Sequence, residues 1–134
     1  MLRPALAPRR CALALVLAAA TLAGCGDDQP AGRSVTLDPA EPLRVSAGEY
    51  SFDPGTVTVR GSPPRLEVTL RNSGSLAHDF VVLDGEQELG GTPTIPSGDR
   101  RTASVELEPG SYRFVCTVGD HRELGMEGEL TIRR

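Results

Sequence analysis

The chain has 134 residues, a length that accommodates one ordinary domain with an appendage but not two hydrophobic cores. Its 18 acidic residues outnumber its 14 basic residues, all of them arginine, and the formal net charge is −4. An acidic surface disfavours binding to nucleic acid or anionic lipid and favours basic partners. We therefore expect no nucleic-acid function.

Residues 1–24 have the pattern of a signal peptide. Arginines at positions 3, 9 and 10 precede an almost wholly apolar stretch, 11–22, that is too short to span a membrane as a mature helix. The motif "LAGC", which ends at Cys25, resembles the lipobox of bacterial lipoproteins. That resemblance implies acylation of Cys25 after cleavage and a location on the outer face of the cell membrane; simple cleavage is the alternative.

Residues 25–41 are predicted to be a lipidated N-terminus and a flexible linker. They are rich in Asp, Pro and Gly and show no sustained apolar period. Loss of residues 1–24 leaves 11 arginines against 18 acidic residues, so the mature formal charge is −7. The folded domain is expected to span residues 42–134.

Alternating apolar and polar residues predict several short β-strands in this domain. In "RLEVTLRN", residues 65–72, Leu66, Val68 and Leu70 share one face of a half-buried strand. No segment of helical period and useful length follows residue 42. Similar strand patterns, each bounded by turn residues, occupy 56–61, 78–84, 102–110, 111–116 and 128–134. The fold class is therefore predicted to be all-β, a Greek-key antiparallel β-sandwich.

The segment 84–100, "DGEQELGGTPTIPSGDR", is long for a hairpin. We interpret it as a solvated excursion, with a partner surface as the alternative.

The number of free cysteines limits the roles that the mature domain can have. Cys11 is lost with the signal peptide and Cys25 is assigned to the lipid, so Cys116 is the single free thiol of the mature domain. No intrachain disulfide is then available. An isolated thiol outside the cytoplasm is a liability unless it is buried or bound to a ligand.

The motif "CTVGDHRELGM" places Cys116, His121 and Met126 at even spacing, with four residues between each pair. A thiolate, an imidazole and a thioether form a ligand set that copper favours. The mature chain has one other histidine, His78, at the start of an apolar strand, and it is the candidate for the fourth ligand.

The stretches "EYSFDPGTVTVRG", "RLEVTLRNSGSLAHDFVVLD" and "PGSYRFVCTVGDHRELGMEGELTI" resemble the cupredoxins, the small blue copper proteins related to plastocyanin and azurin, over residues 43–133. The resemblance implies one type 1 copper ion held by His78, Cys116, His121 and Met126. It also implies electron transfer through a partly exposed His121, with Leu124 and Val118 as candidate rim residues. A redox donor and acceptor, such as a cytochrome or a terminal oxidase or reductase, would be the partners.

The chain departs from the family pattern in two places, the loop 118–121 and position 79. Relatives with this loop length often read "VPGH" where this chain has "VGDH", residues 118–121, and often carry asparagine at the position of Asp79. A carboxylate accepts hydrogen bonds but cannot donate them.

The leading hypothesis is a monomeric, membrane-tethered electron carrier without catalytic activity. The alternatives are a copper delivery or sequestration protein that uses the same ligands, and a metal-free structural sandwich in which Cys116 is simply buried.

Overall fold

The computed structural model describes residues 32–61, 63 and 65–134, so the predicted signal peptide and Cys25 lie outside the described residues. In this part of the chain ten strands form and no helix occurs, hence none of membrane-spanning length. The strands are β1 (Ser34–Leu37), β2 (Leu43–Gly48), β3 (Ser51–Asp53), β4 (Thr56–Val59), β5 (Leu66–Asn72), β6 (Val81–Asp84), β7 (Gln87–Gly91), β8 (Arg100–Val105), β9 (Gly110–Val115) and β10 (Glu127–Ile132).

The strands form two sheets that enclose one core. One sheet has the order β1-β4-β10-β9-β6-β7 and the other the order β3-β2-β5-β8. The predicted alternation in β5 is confirmed, because Leu66, Val68 and Leu70 are at most 1% exposed. Burial of such a continuous apolar face is the main stabilising contribution to a sandwich of this size. The prediction of an all-β sandwich is confirmed.

The pairing of the strands is mixed rather than wholly antiparallel, which corrects one part of the predicted fold class. β1 and β10 both pair with β4 in parallel, and β2 pairs with β5 in parallel. Alternation within a strand determines which face is buried, but it carries no information about the direction of the neighbouring strand. The sequence pattern therefore identified the layers and not the pairing.

Two segments contain more structure than expected. β1 lies within residues 25–41, which were predicted to be flexible, and it extends an edge of the larger sheet. Segment 84–100 is not only a solvated excursion, because it contains β7, and Ile95 in the connection after β7 is 1% exposed. β7, QELGG, has no alternation of apolar and polar residues, and the 4 residues of β1, SVTL, are too short a run to stand out among the turn-forming residues around them.

Three aromatic rings join the strands that lead to the cluster described below. The rings of Phe80 and Phe114 stack with their centroids 4.8 Å apart. The ring of Phe52 meets each of them edge-on, at 5.7 and 5.4 Å. Phe80 follows His78 by two residues and Phe114 precedes Cys116 by two, so these packed rings fix the two chain segments relative to each other.

Candidate metal centre

Three of the four predicted ligand residues meet in a buried cluster. His78 and Cys116 are 0% exposed and His121 is 7% exposed, and their ligand atoms all lie within 4.8 Å of one another. The Sγ atom of Cys116 is 3.9 Å from Nδ1 of His78 and 3.5 Å from Nδ1 of His121. The structure thus brings together residues that are 38 and 5 positions apart in sequence.

This geometry fits a transition-metal ion. Metal–nitrogen and metal–sulfur bonds of about 2.0–2.3 Å require donor atoms on the order of 3.5 Å apart around a shared ion. The two separations from Sγ are close to that value, and both imidazoles present the same nitrogen, Nδ1, to the sulfur. Two imidazoles and one thiolate are the trigonal donor set that suits copper in both of its common oxidation states.

Met126 is joined to the cluster by the backbone of the loop that follows β9. The amide of Cys116 donates to the carbonyl of Met126 at 3.1 Å, and the amide of Met126 donates to the carbonyl of His121 at 2.9 Å. Met126 is itself 0% exposed. Gly119 and Gly125 have φ values of 52° and 97°, left-handed conformations that let the chain reverse twice within this loop. The loop therefore brings the backbone of Met126 beside Cys116 and His121, with the Met126 side chain buried in the core.

His78 is held by backbone pairing and by an asparagine. Its amide and carbonyl both bond to Ile95, at 3.1 and 2.8 Å, in an isolated antiparallel bridge. The side chain of Asn72, 0% exposed, donates to the carbonyls of Leu76 and Ile95 at 2.7 and 3.1 Å. Its own Oδ1 accepts from the amide of Gly74 at 3.0 Å. These hydrogen bonds hold the segment that contains His78 and the segment that contains Ile95 in place without any ion.

The environment of the cluster favours uncharged side chains when no ion is bound. Burial, reinforced by the proximity of His121, lowers the pKa of His78, and burial raises the pKa of the Cys116 thiol. A neutral imidazole keeps a lone pair for a metal, whereas the thiol must release its proton before it can bind one. The other ring nitrogen of His78, Nε2, is buried and has no hydrogen-bond partner among the described residues.

Asp79 links the two chain segments that carry the cluster. One carboxylate oxygen accepts from the amide of Thr117 and the other from its hydroxyl, both at 2.6 Å. The hydroxyl of Thr94 also lies 3.4 Å from the second oxygen. Asp79 neighbours His78 and Thr117 neighbours Cys116, so this pair holds the segments together beside the cluster. All three contacts have Asp79 as the acceptor, in keeping with the chemistry of a carboxylate.

The turn between β2 and β3 contributes two residues that the sequence analysis did not identify. The Glu49 carboxylate accepts from the amides of Ser75 and Leu76 and from the Ser75 hydroxyl. The ring of Tyr50 meets the ring of His121 nearly at right angles, with centroids 5.2 Å apart. No motif or spacing in the sequence links this turn to the later loops, since the contacts depend on how the strands cross.

The surroundings of His121 differ in part from the expectation of a partly exposed histidine with Leu124 and Val118 at its rim. His121 is only 7% exposed. Leu124 is 50% exposed, as a rim residue would be, whereas Val118 packs against the core. The aromatic ring of Tyr50 contacts His121 instead.

The sequence profile described as a cupredoxin-like domain matches residues 12–132, and the chain belongs to that family. A curated relative, the copper-resistant cuproprotein CopI of Rubrivivax gelatinosus, is 28% identical over 125 residues, which cover 81% of this chain and 71% of the relative.

Solved structures of two auracyanins share the fold. Reduced auracyanin from Roseiflexus castenholzii superposes with a TM-score of 0.62 at 20% identity, covering 69% of this chain and 97% of that one. Auracyanin A, a "blue" copper protein from Chloroflexus aurantiacus, gives a TM-score of 0.59 at 15% identity, covering 75% of this chain and all of that one. At these identities the likeness concerns the fold alone.

Proposed function

We propose that this protein is a type 1 copper electron carrier that is tethered outside the cytoplasm. The observation that carries the proposal is the buried cluster of one sulfur and two Nδ1 atoms within 4.8 Å, on a scaffold whose own hydrogen bonds hold each residue. We assign the ligand roles to His78, Cys116, His121 and Met126. When bound there, copper supplies a site that accepts and returns one electron.

Electron transfer is favoured by the rigidity of the ligand residues. Asn72 and Ile95 hold the His78 segment, and Asp79 joins it to Thr117 beside Cys116. Ligands that are already in place need little rearrangement when the charge of the site changes, which keeps the barrier to transfer low. The burial of the site also argues against catalysis, because four buried protein ligands leave no open position for a substrate. We therefore propose that the protein is not an enzyme.

The proposed partners are a protein electron donor and a protein electron acceptor, such as a cytochrome or a terminal oxidase or reductase. Three large exposed side chains belong to segments that carry or contact the cluster: Tyr50, Leu76 and Leu124, at 38, 40 and 50% exposure. Exposed apolar side chains next to a redox site suit brief contacts with partner proteins. Acylation of Cys25 would keep the domain near membrane-bound partners, since buried acyl chains anchor a small domain at a bilayer.

Copper binding is tested by adding Cu(II) to the purified chain. We expect an intense visible absorption band from charge transfer between the Cys116 thiolate and copper. Cys116→Ser is the matched control, because it keeps the size of the side chain and removes the thiolate, and it should show no such band. A wild-type protein that remains colourless with Cu(II) would refute the proposed site.

A second candidate function is copper delivery or sequestration, and the similarity to a copper-resistant cuproprotein supports it. Cyclic voltammetry of the copper-loaded protein in the presence of a Cu(I) chelator separates the two functions. A carrier should give a reversible wave over many cycles with its copper retained. A delivery protein should lose Cu(I) to the chelator after the first reduction, so that the wave disappears.

A further inference from the structure

The ring of Tyr50, which contacts His121, belongs to a residue in an uncommon backbone conformation. Tyr50 has a φ of 58°, and among the described residues it is the one non-glycine with a positive φ. Bulky side chains rarely adopt this region, and a residue held there is a pointer to function rather than to local preference. Gly48 lies two positions earlier, yet the position that needs the left-handed conformation carries tyrosine.

The turn that carries Tyr50 is fastened on its other side. Glu49 accepts three hydrogen bonds from Ser75 and Leu76, in the segment that leads into His78, and these bonds lower its pKa to about 2. Gly74 permits this approach, because a Cβ atom there would lie 2.6 Å from Oε1 of Glu49. A carboxylate that bridges two amides and a hydroxyl holds the turn at a fixed distance from the His78 segment.

The fixed turn sets the Tyr50 ring against His121. The two ring centroids are 5.2 Å apart and the planes are inclined by 78°, a favourable edge-to-face contact. His121 directs Nδ1 towards Cys116, so Nε2 lies on the opposite edge of its ring. Tyr50 is 38% exposed and His121 is 7% exposed, so at this contact the tyrosine side chain faces solvent and the imidazole is buried behind it.

We propose that Tyr50 is a positioning residue that covers His121, fixing the plane of its ring and controlling the access of water and small solutes to its outer nitrogen. The edge-to-face contact of Tyr50 with His121 and the hydrogen bonds of Glu49 oppose the cost of the strained turn. The inference rests on the proposed function only in treating His121 as a ligand. The cover itself is a property of the copper-free protein.

The test is chemical modification of the copper-free chain with diethyl pyrocarbonate, which acylates accessible imidazole nitrogens. The chain contains two histidines, so His78, which is 0% exposed, serves as an internal reference for global opening. Tyr50→Gly removes the ring and adopts positive φ without strain, and so keeps the turn. Peptide mass spectrometry should show His121, now 7% exposed, modified several-fold faster once the ring that contacts it is gone.

Tyr50→Phe is the matched control, because it keeps the ring, and it should leave the rate for His121 unchanged. In the copper-loaded protein, Tyr50→Gly should also release copper to a chelator several-fold faster than Tyr50→Phe. An unchanged modification rate for His121 in Tyr50→Gly overturns the proposal, and so does an equal acceleration at His78. If the protein binds no copper but Tyr50→Gly still accelerates the modification of His121, the proposed function is refuted and the covering role of Tyr50 is supported.

Discussion

Saturating copper is expected to raise the melting temperature of this protein by on the order of 20 °C. A ligand that binds only the folded state stabilises it by about 4 kcal/mol when its concentration is a thousand times Kd. For a domain of this size each kcal/mol shifts the melting temperature by roughly 4–8 °C. The donor atoms of His78, Cys116 and His121 converge only in the folded chain, so an unfolded chain cannot offer the same site. Differential scanning calorimetry with and without copper measures the shift.

Cys116→Ser is the control for that experiment, and it should reduce the copper-dependent shift to a few degrees. Chelation of the copper should return the wild-type protein to its original melting temperature. The chain has few other soft ligands, because His78 and His121 are its two histidines, so adventitious copper sites contribute little. Equal melting temperatures with and without copper would favour the metal-free structural sandwich instead.

The parts of the site that the sequence predicted are those encoded in residue type and spacing. Cys116, His121 and Met126 stand at equal intervals in one loop, and His78 is the remaining histidine. Their scarcity made the combination informative without any knowledge of the fold. The structure brings the ligand atoms of Cys116, His121 and His78 within 4.8 Å of one another, and their role as copper ligands stays a prediction.

The parts that the sequence did not predict depend on contacts between segments far apart in the chain. Glu49 bonds to Ser75 across 26 residues, and Asp79 bonds to Thr117 across 38. Polar residues of these types are common on loops, so their identity alone does not show which of them anchor a site. Tyr50 illustrates the same limit, since a tyrosine after a turn glutamate is unremarkable until the turn is seen against His121.

The strand directions were missed for a related reason. β2 and β5 are parallel neighbours, and β4 lies between two parallel partners. β2 and β5 each bury the face that their alternation indicates, although alternation does not show that they run parallel. This topology is nevertheless what positions the site, because β6 and β9 pair antiparallel and bring the segments beyond their ends, with His78 and Cys116, to the same end of the sandwich.

Asp79→Ala is expected to lower the free energy of unfolding of the copper-free protein by about 3 kcal/mol. Asp79 is 4% exposed, and its carboxylate accepts two hydrogen bonds of 2.6 Å from Thr117. Alanine removes both bonds and leaves the Thr117 amide without its acceptor, which costs more than the loss of a bond between solvated groups. Urea unfolding followed by circular dichroism measures the change, which should appear as a lower midpoint with an unaltered slope.

Asp79→Asn separates the role of the carboxylate from that of side-chain shape. The amide keeps an acceptor for the Thr117 backbone and can donate to its hydroxyl, so a loss of only about 1 kcal/mol is expected, from the missing charge. Thr117→Val removes the hydroxyl bond alone, and in the double variant with Asp79→Ala its effect should largely disappear, because both changes act on one contact. Two outcomes would mean that the Asp79–Thr117 pair does not hold the two segments of the site together. One is that the losses of stability in the double variant are fully additive. The other is that Asp79→Ala loses no more stability than Asp79→Asn.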